Sequence, residues 1–90
     1  MKITLKEINI YEVDKLHQKI LKEILIAKSA YTLNFINVEK IDLSAIQLIL
    51  SLKKYCITNK IILKITNIVS EQIKDLFKLF SIDEQLGLQL

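Results

Sequence analysis

The 90-residue chain contains no arginine, no proline and no tryptophan, and it has a single glycine, a single cysteine and a single histidine. Each scarcity removes a class of function. Without arginine there is no planar fork for bidentate contacts to bases or phosphates, and the thirteen lysines are interleaved with ten acids. The net charge of +3 is therefore weak support for a nucleic-acid partner, and no helix rich in Arg, Asn and Gln offers a recognition surface. With Gly87 as the one glycine, no glycine-rich loop can cradle a phosphate, so nucleotide binding by that route is excluded. One cysteine, Cys56, closes no intramolecular disulfide and fits a reducing compartment.

One cysteine and one histidine also fall short of a zinc site, and no acid, base and nucleophile are available in number enough for a catalytic set. His17 lies at the edge of an apolar stripe, where it reads as a boundary residue, and Cys56 reads as a buried one. Asp83 and Glu84 read as helix-start charges. The expectation is a protein that is not an enzyme and holds no cofactor or metal. The longest uncharged stretches, Ser29 to Val38 and Leu43 to Leu52, are much shorter than a membrane span. The opening residues lack the apolar core and small-residue cleavage site of an export signal, so a cytoplasmic, soluble protein is expected.

What the chain does have is a 51% hydrophobic content arranged in alternating periods, enough for one small core in a single domain over residues 1–90. Ile3, Leu5, Ile8 and Ile10 alternate with polar residues and predict one or two short strands. From Tyr11 the period lengthens: Val13, Leu16, Ile20, Ile24 and Ala27 mark one face of a helix, opposite Asp14, Lys15, Gln18, Lys19, Lys22 and Glu23. Tyr31 to Val38 predicts a strand running into a loop. Ala45 to Ile57 predicts a second helix with Ala45, Ile46, Ile49, Leu50 and Leu52 or Lys53 on one side and a polar stripe of Ser44, Gln47, Ser51 and Lys54. Ile61, Ile62, Leu63 and Ile65 predict a strand covered on both faces. Ser70 predicts an N-cap for a third helix with Ile73, Leu76, Phe77 and Phe80 on its apolar side, and a short helix follows around Asp83 to Leu88. Strands alternating with helices require crossovers. The expected fold is a small α/β domain: a mixed, largely parallel sheet of four to five strands covered by three to four helices.

The stretch from Leu33 to Tyr55 holds the strongest functional signal. A strand ends in a polar turn, Asp42 follows a lone Ile41, and a long apolar-faced helix begins two residues later. This resembles the STAS domain, the module of sulphate transporters and anti-sigma factor antagonists. In that family the loop ends Asp-Ser-Ser-Gly or Asp-Thr-Ala-Gly and opens the second helix; here the matching residues are Asp42, Leu43, Ser44 and Ala45. Ile10 to Val13 with the first helix, the Lys60 to Thr66 strand and the Ser70 to Phe80 helix follow the family in order and spacing, so the resemblance spans nearly the whole chain.

The resemblance implies a non-enzymatic switch that docks a cytoplasmic regulatory protein, an anti-sigma kinase or a signalling histidine kinase. Asp42, Leu43, Ser44, Gln47, Ser51 and Lys54 are the candidate partner-binding residues. In antagonists of this family the residue after the Asp is a phosphorylated Ser or Thr. Leu43 stands there and has no hydroxyl, so the ordinary phosphorylation switch is not expected; neighbouring Ser44 is an alternative acceptor or a capping residue. Leu43 is an apolar anchor if it faces outward and core if it faces inward. Two other classes compete: an accessory subunit that binds the ATPase of a bacterial phospholipid-type transporter, and a self-associating module forming a weak homodimer.

Overall fold

A computed structural model describes residues 1–90. The elements run β1 (Glu7–Ile8), α1 (Val13–Ile24), β2 (Ala30–Asn34), β3 (Lys40–Ile41), α2 (Leu43–Thr58), β4 (Ile62–Thr66), α3 (Glu71–Leu79) and α4 (Ile82–Gln85). The α/β class holds. The strands form two parallel pairs, β1 with β3 and β2 with β4, with no antiparallel pair among them. Residues 1–3 extend the second pair along β2: Asn34 N–H donates to the Met1 carbonyl at 2.8 Å and Ile3 N–H to the Asn34 carbonyl at 3.1 Å.

Parallel pairing dictates the rest of the architecture. A strand paired in parallel is reached only after a return crossing; α1 follows β1, α2 follows β3 and α3 follows β4, so helix N-termini gather where those strands end and helix C-termini gather where strands begin. Ala30 pairs with Ile62 and Asn34 with Thr66, which fixes the register of the larger pair and puts both strand starts at one end. The Lys6 carbonyl accepts from Glu39 N–H at 2.7 Å, and the Ile8 carbonyl accepts from Asp42 N–H at 3.3 Å, so β3 is held against β1 up to the first residue before α2.

The core comprises 22 buried residues, all apolar, drawn from every element of the fold. Leu16, Ile20 and Ile24 of α1 and Ile73 and Phe77 of α3 are the inward residues of the amphipathic stripes that the sequence marks. In α2 the buried set is wider: Ala45, Ile46, Leu48, Ile49, Leu52 and Cys56, which reflects a helix wedged between α1 and the strands. Phe35 and Phe77 meet at tilted rings 6.2 Å apart and tie the loop after β2 to α3.

Three local findings depart from or add to the sequence reading. β4 was expected to be covered on both faces, yet Ile61, Leu63 and Ile65 are buried while Ile62, Lys64 and Thr66 are exposed, with Ile62 61% accessible. The β-branched run reflects strand propensity; no helix covers the outer face of this pair. β3, two residues long, was not anticipated, because a lone apolar residue carries no period. The third finding is Gln72, which caps the open edge of β3. Its amide oxygen accepts from Ile41 N–H at 3.2 Å and its amide nitrogen donates to the Ile41 carbonyl at 3.0 Å. A side chain of α3 thus imitates a neighbouring strand.

Ser70 caps α3 as expected, accepting from Ile73 N–H, while its hydroxyl donates to the Glu39 carbonyl at 2.6 Å. α4 starts at Ile82, with Asp83 and Glu84 in its first turn. Gln72→Ala leaves both backbone groups of Ile41 without protein partners and is expected to cost about 1–2 kcal/mol in urea unfolding at neutral pH. Gln72→Glu keeps the acceptor but sets a carboxylate oxygen against the Ile41 carbonyl, so at neutral pH it should not restore wild-type stability.

Candidate functional site

Asp42 closes β3 and opens α2 with extended backbone, the geometry an N-cap requires. One carboxylate oxygen, Oδ1, accepts from Ser44 N–H at 3.0 Å, from Ala45 N–H at 3.2 Å and from the Ser44 hydroxyl at 2.5 Å. The other, Oδ2, accepts from Ile10 N–H at 3.1 Å. The same side chain therefore caps one helix and fastens the turn that precedes another. These donors, the Ser44 hydroxyl foremost, hold the Asp42 carboxyl below its ordinary value against a weaker opposing effect of burial.

The turn it fastens is built by Asn9. The Asn9 side chain accepts from Tyr11 N–H at 3.0 Å, and its carbonyl accepts from Glu12 and Val13 N–H, which launches α1. The loop bends so that Ile10 and Tyr11 point outward, 67% and 86% exposed. Leu43 is 59% exposed, which places it on the surface and removes the core alternative. Three apolar side chains thus stand in solvent around one capped carboxylate.

Beside them runs a groove of about 310 Å³ between α1 and α2. Ser44, Gln47 and Ser51 line it from α2, and Asp14 and His17 face them from α1, with Ile10 at its head. Gln47 and Ser51 are exposed and Ser44 is half-buried, its hydroxyl committed to Asp42. Of the six candidate residues, five therefore adjoin the start of α2 or this groove. Lys54 does not: it lines a separate groove with Leu50, Lys53, Ile57 and Gln85, towards the other end of the helix. Residues 44, 47, 51 and 54 look like one stripe in the sequence. Over ten residues, about 15 Å of rise, the stripe drifts from the α1 side of α2 to the α4 side.

Sequence reasoning overlooked Ile10 and Tyr11 as site residues because alternation assigns Ile10 to a strand. The usable signal was the change of period at Tyr11, since two apolar residues at a helix boundary have no inward face to occupy. His17, read as a boundary residue, is half-buried and lies on the groove wall. Cys56 is buried, and burial raises its thiol pKa, away from thiolate chemistry.

Neither protein-family models nor curated proteins give a match to the chain. Among solved structures, a sulfate transporter family protein from Wolinella succinogenes superposes with a TM-score of 0.79 at 20% identity, over 97% of this chain and 69% of that one. The fold is STAS-like. At that identity the likeness speaks for the fold, and no helix of this STAS-like chain is long and apolar enough to cross a membrane.

Because the Asp42 pKa is lowered on folding, its contribution to stability is present above the unfolded carboxylate value, near about 4, and is lost as pH falls through the folded value. Asp42→Ala is expected to cost about 1–2 kcal/mol at neutral pH, the usual magnitude for removing an N-cap. The gap between wild type and variant should narrow on acidification. Chemical denaturation at a series of pH values reads both effects.

Proposed function

We propose that this chain is a non-catalytic protein-binding module of the anti-sigma-antagonist type, which docks a cytoplasmic regulatory partner through the start of α2. The observation that carries the reading is the exposure of Leu43, Ile10 and Tyr11 around the Asp42 cap. A small cluster of protruding apolar groups with a polar groove alongside has the composition of an interface centre and its rim. The carboxylate locks both loops, so little conformational freedom is lost when a partner covers them.

The partner class is an ATP-binding protein, an anti-sigma kinase or a signalling histidine kinase. Binding does not run through the usual serine phosphorylation. Leu43 offers no hydroxyl, and the Ser44 hydroxyl is already held by Asp42. A phosphate on Ser44 would set two further negative charges against that carboxylate and displace it from the helix start. The module is on this reading constitutive, with partner availability as the control. A second reading, an accessory subunit bound to the ATPase of a transporter, is favoured by the fold shared with a sulfate transporter family protein and would use the same face.

The test is a Tyr11→Asp/Leu43→Asp double variant used beside wild type as bait in native lysate. An acid at position 43 suits a helix N-terminus, so the thermal midpoint should stay within a few degrees of wild type. The expected result is that wild type retains an ATP-binding protein and the double variant loses it by roughly tenfold or more, as for removal of central apolar anchors. Equal retention by both baits contradicts the assignment of the face.

A further inference from the structure

The end of the molecule opposite Asp42 has a surface of its own. α2 is sixteen residues long and carries the chain about 24 Å from its cap. There the Cys56 carbonyl accepts from Ile61 N–H at 2.8 Å and the Ser29 carbonyl accepts from Ile62 N–H at 2.9 Å, so the end of α2, the start of β4 and the approach to β2 meet. Lys53 Nζ donates to Gln85 Oε1 at 2.8 Å, and Gln85 Nε2 donates to the Phe80 carbonyl at 3.3 Å, which brings in the end of α3. α1 ends only a few residues before Ser29.

At each of these terminations large apolar side chains stand in solvent: Leu25 and Ile26 after α1, Ile57 near the end of α2, Ile62 at the start of β4, and Leu79 and Phe80 at the end of α3. They are the largest group of exposed apolar residues that one end of the fold collects. Interleaved with them are Lys22, Lys28, Lys54, Lys60 and Lys78, all exposed and none in an ion pair. The acids at this end are Glu23, which accepts the Tyr31 hydroxyl at 3.2 Å, Asp75 on α3, and Asp83 and Glu84 on α4, fewer than the lysines. Helix dipoles alone account for some of the lysines, since cations are favoured at C-termini, but they do not account for the aliphatic side chains among them.

We propose that this end docks on the surface of an anionic lipid bilayer. Protruding Ile, Leu and Phe side chains with exposed lysines on the same elements have the chemistry of a peripheral membrane contact: the apolar tips enter the headgroup boundary and the cations meet acidic lipids. The excess of lysines over acids disfavours a second copy of the chain, because an isologous contact would bring together two surfaces of like net charge. The cations are point charges without guanidinium forks, which suits diffuse attraction to a charged surface better than bidentate recognition of an acidic peptide. The lipid contact is independent of the docking face and leaves that face pointing away from the membrane.

The experiment is cosedimentation of the whole chain with phosphatidylcholine vesicles, either alone or with one third phosphatidylglycerol. Wild type should pellet with the anionic vesicles, release as salt is raised, and stay in solution with the neutral ones. Two variants report separately, Lys28→Glu/Lys60→Glu on charge and Ile26→Asp/Leu79→Asp on insertion. Each should weaken partitioning by roughly tenfold or more while keeping the wild-type circular dichroism and melting curve. Wild type remaining in solution with the anionic vesicles at low salt overturns the proposal. So does binding by the charge-reversed variant equal to wild type, or a wild-type dimer that Ile26→Asp/Leu79→Asp dissolves. Tyr11→Asp/Leu43→Asp should bind vesicles as wild type does, so failure of the protein-docking reading and failure of this one give different results.

Discussion

Parallel pairing is the constraint from which the rest of this molecule follows. A parallel partner cannot be reached by a tight turn, so the chain recrosses the fold between paired strands, by α1 between β1 and β3 and by α2 between β2 and β4. In a chain this short the result is a molecule with two unlike ends. Helices α1, α2 and α3 begin at one and finish at the other. Unsatisfied N–H groups collect at the first, where Asp42 and Ser70 answer them. Free carbonyls collect at the second, where lysines are most frequent.

Asp42 converts that polarity into a defined surface. A capping serine or asparagine could satisfy the first turn of α2, but a carboxylate with two free oxygens can also reach the Ile10 amide. The β1–α1 turn is thereby fixed relative to α2, and the apolar residues on both are held outward. The scarcity of glycine has a parallel consequence. Lys60, Asn67 and Ser81 occupy left-handed backbone conformations that glycine adopts without steric penalty. Asn67 is suited to it, and its side chain donates to Asn34 Oδ1 at 3.1 Å, joining the loops after β2 and β4. The core, in contrast, holds no polar or charged residue.

Much of this was legible in the sequence because it rests on local rules. The stripes of α1 and α3, the Ser70 cap and the crossover order all come from period and from residue chemistry over a few positions. What was not legible depends on partners distant in the chain. β3 exists because Lys40 and Ile41 lie opposite Glu7 and Ile8, and Gln72 completes its edge. The open face of β4 reflects which elements the fold places over it, about which Ile62 by itself says nothing. The position of Lys54 depends on accumulated helical drift and on where α1 and α4 lie. Of the site itself, Asp42 and the α2 residues were visible, whereas Ile10 and Tyr11 join it only through a hydrogen bond spanning 32 residues.

On the proposed function, the Asp42 end meets a protein partner. Site-specific photo-crosslinking inside the cell tests it most directly, with a benzoylphenylalanine in place of Tyr11 and, in a separate chain, in place of Lys64 in the middle of the open face of β4. The result expected is a discrete protein adduct from position 11 and none from position 64. Adducts from position 64 with none from position 11 would contradict it and move the interface to the uncovered sheet.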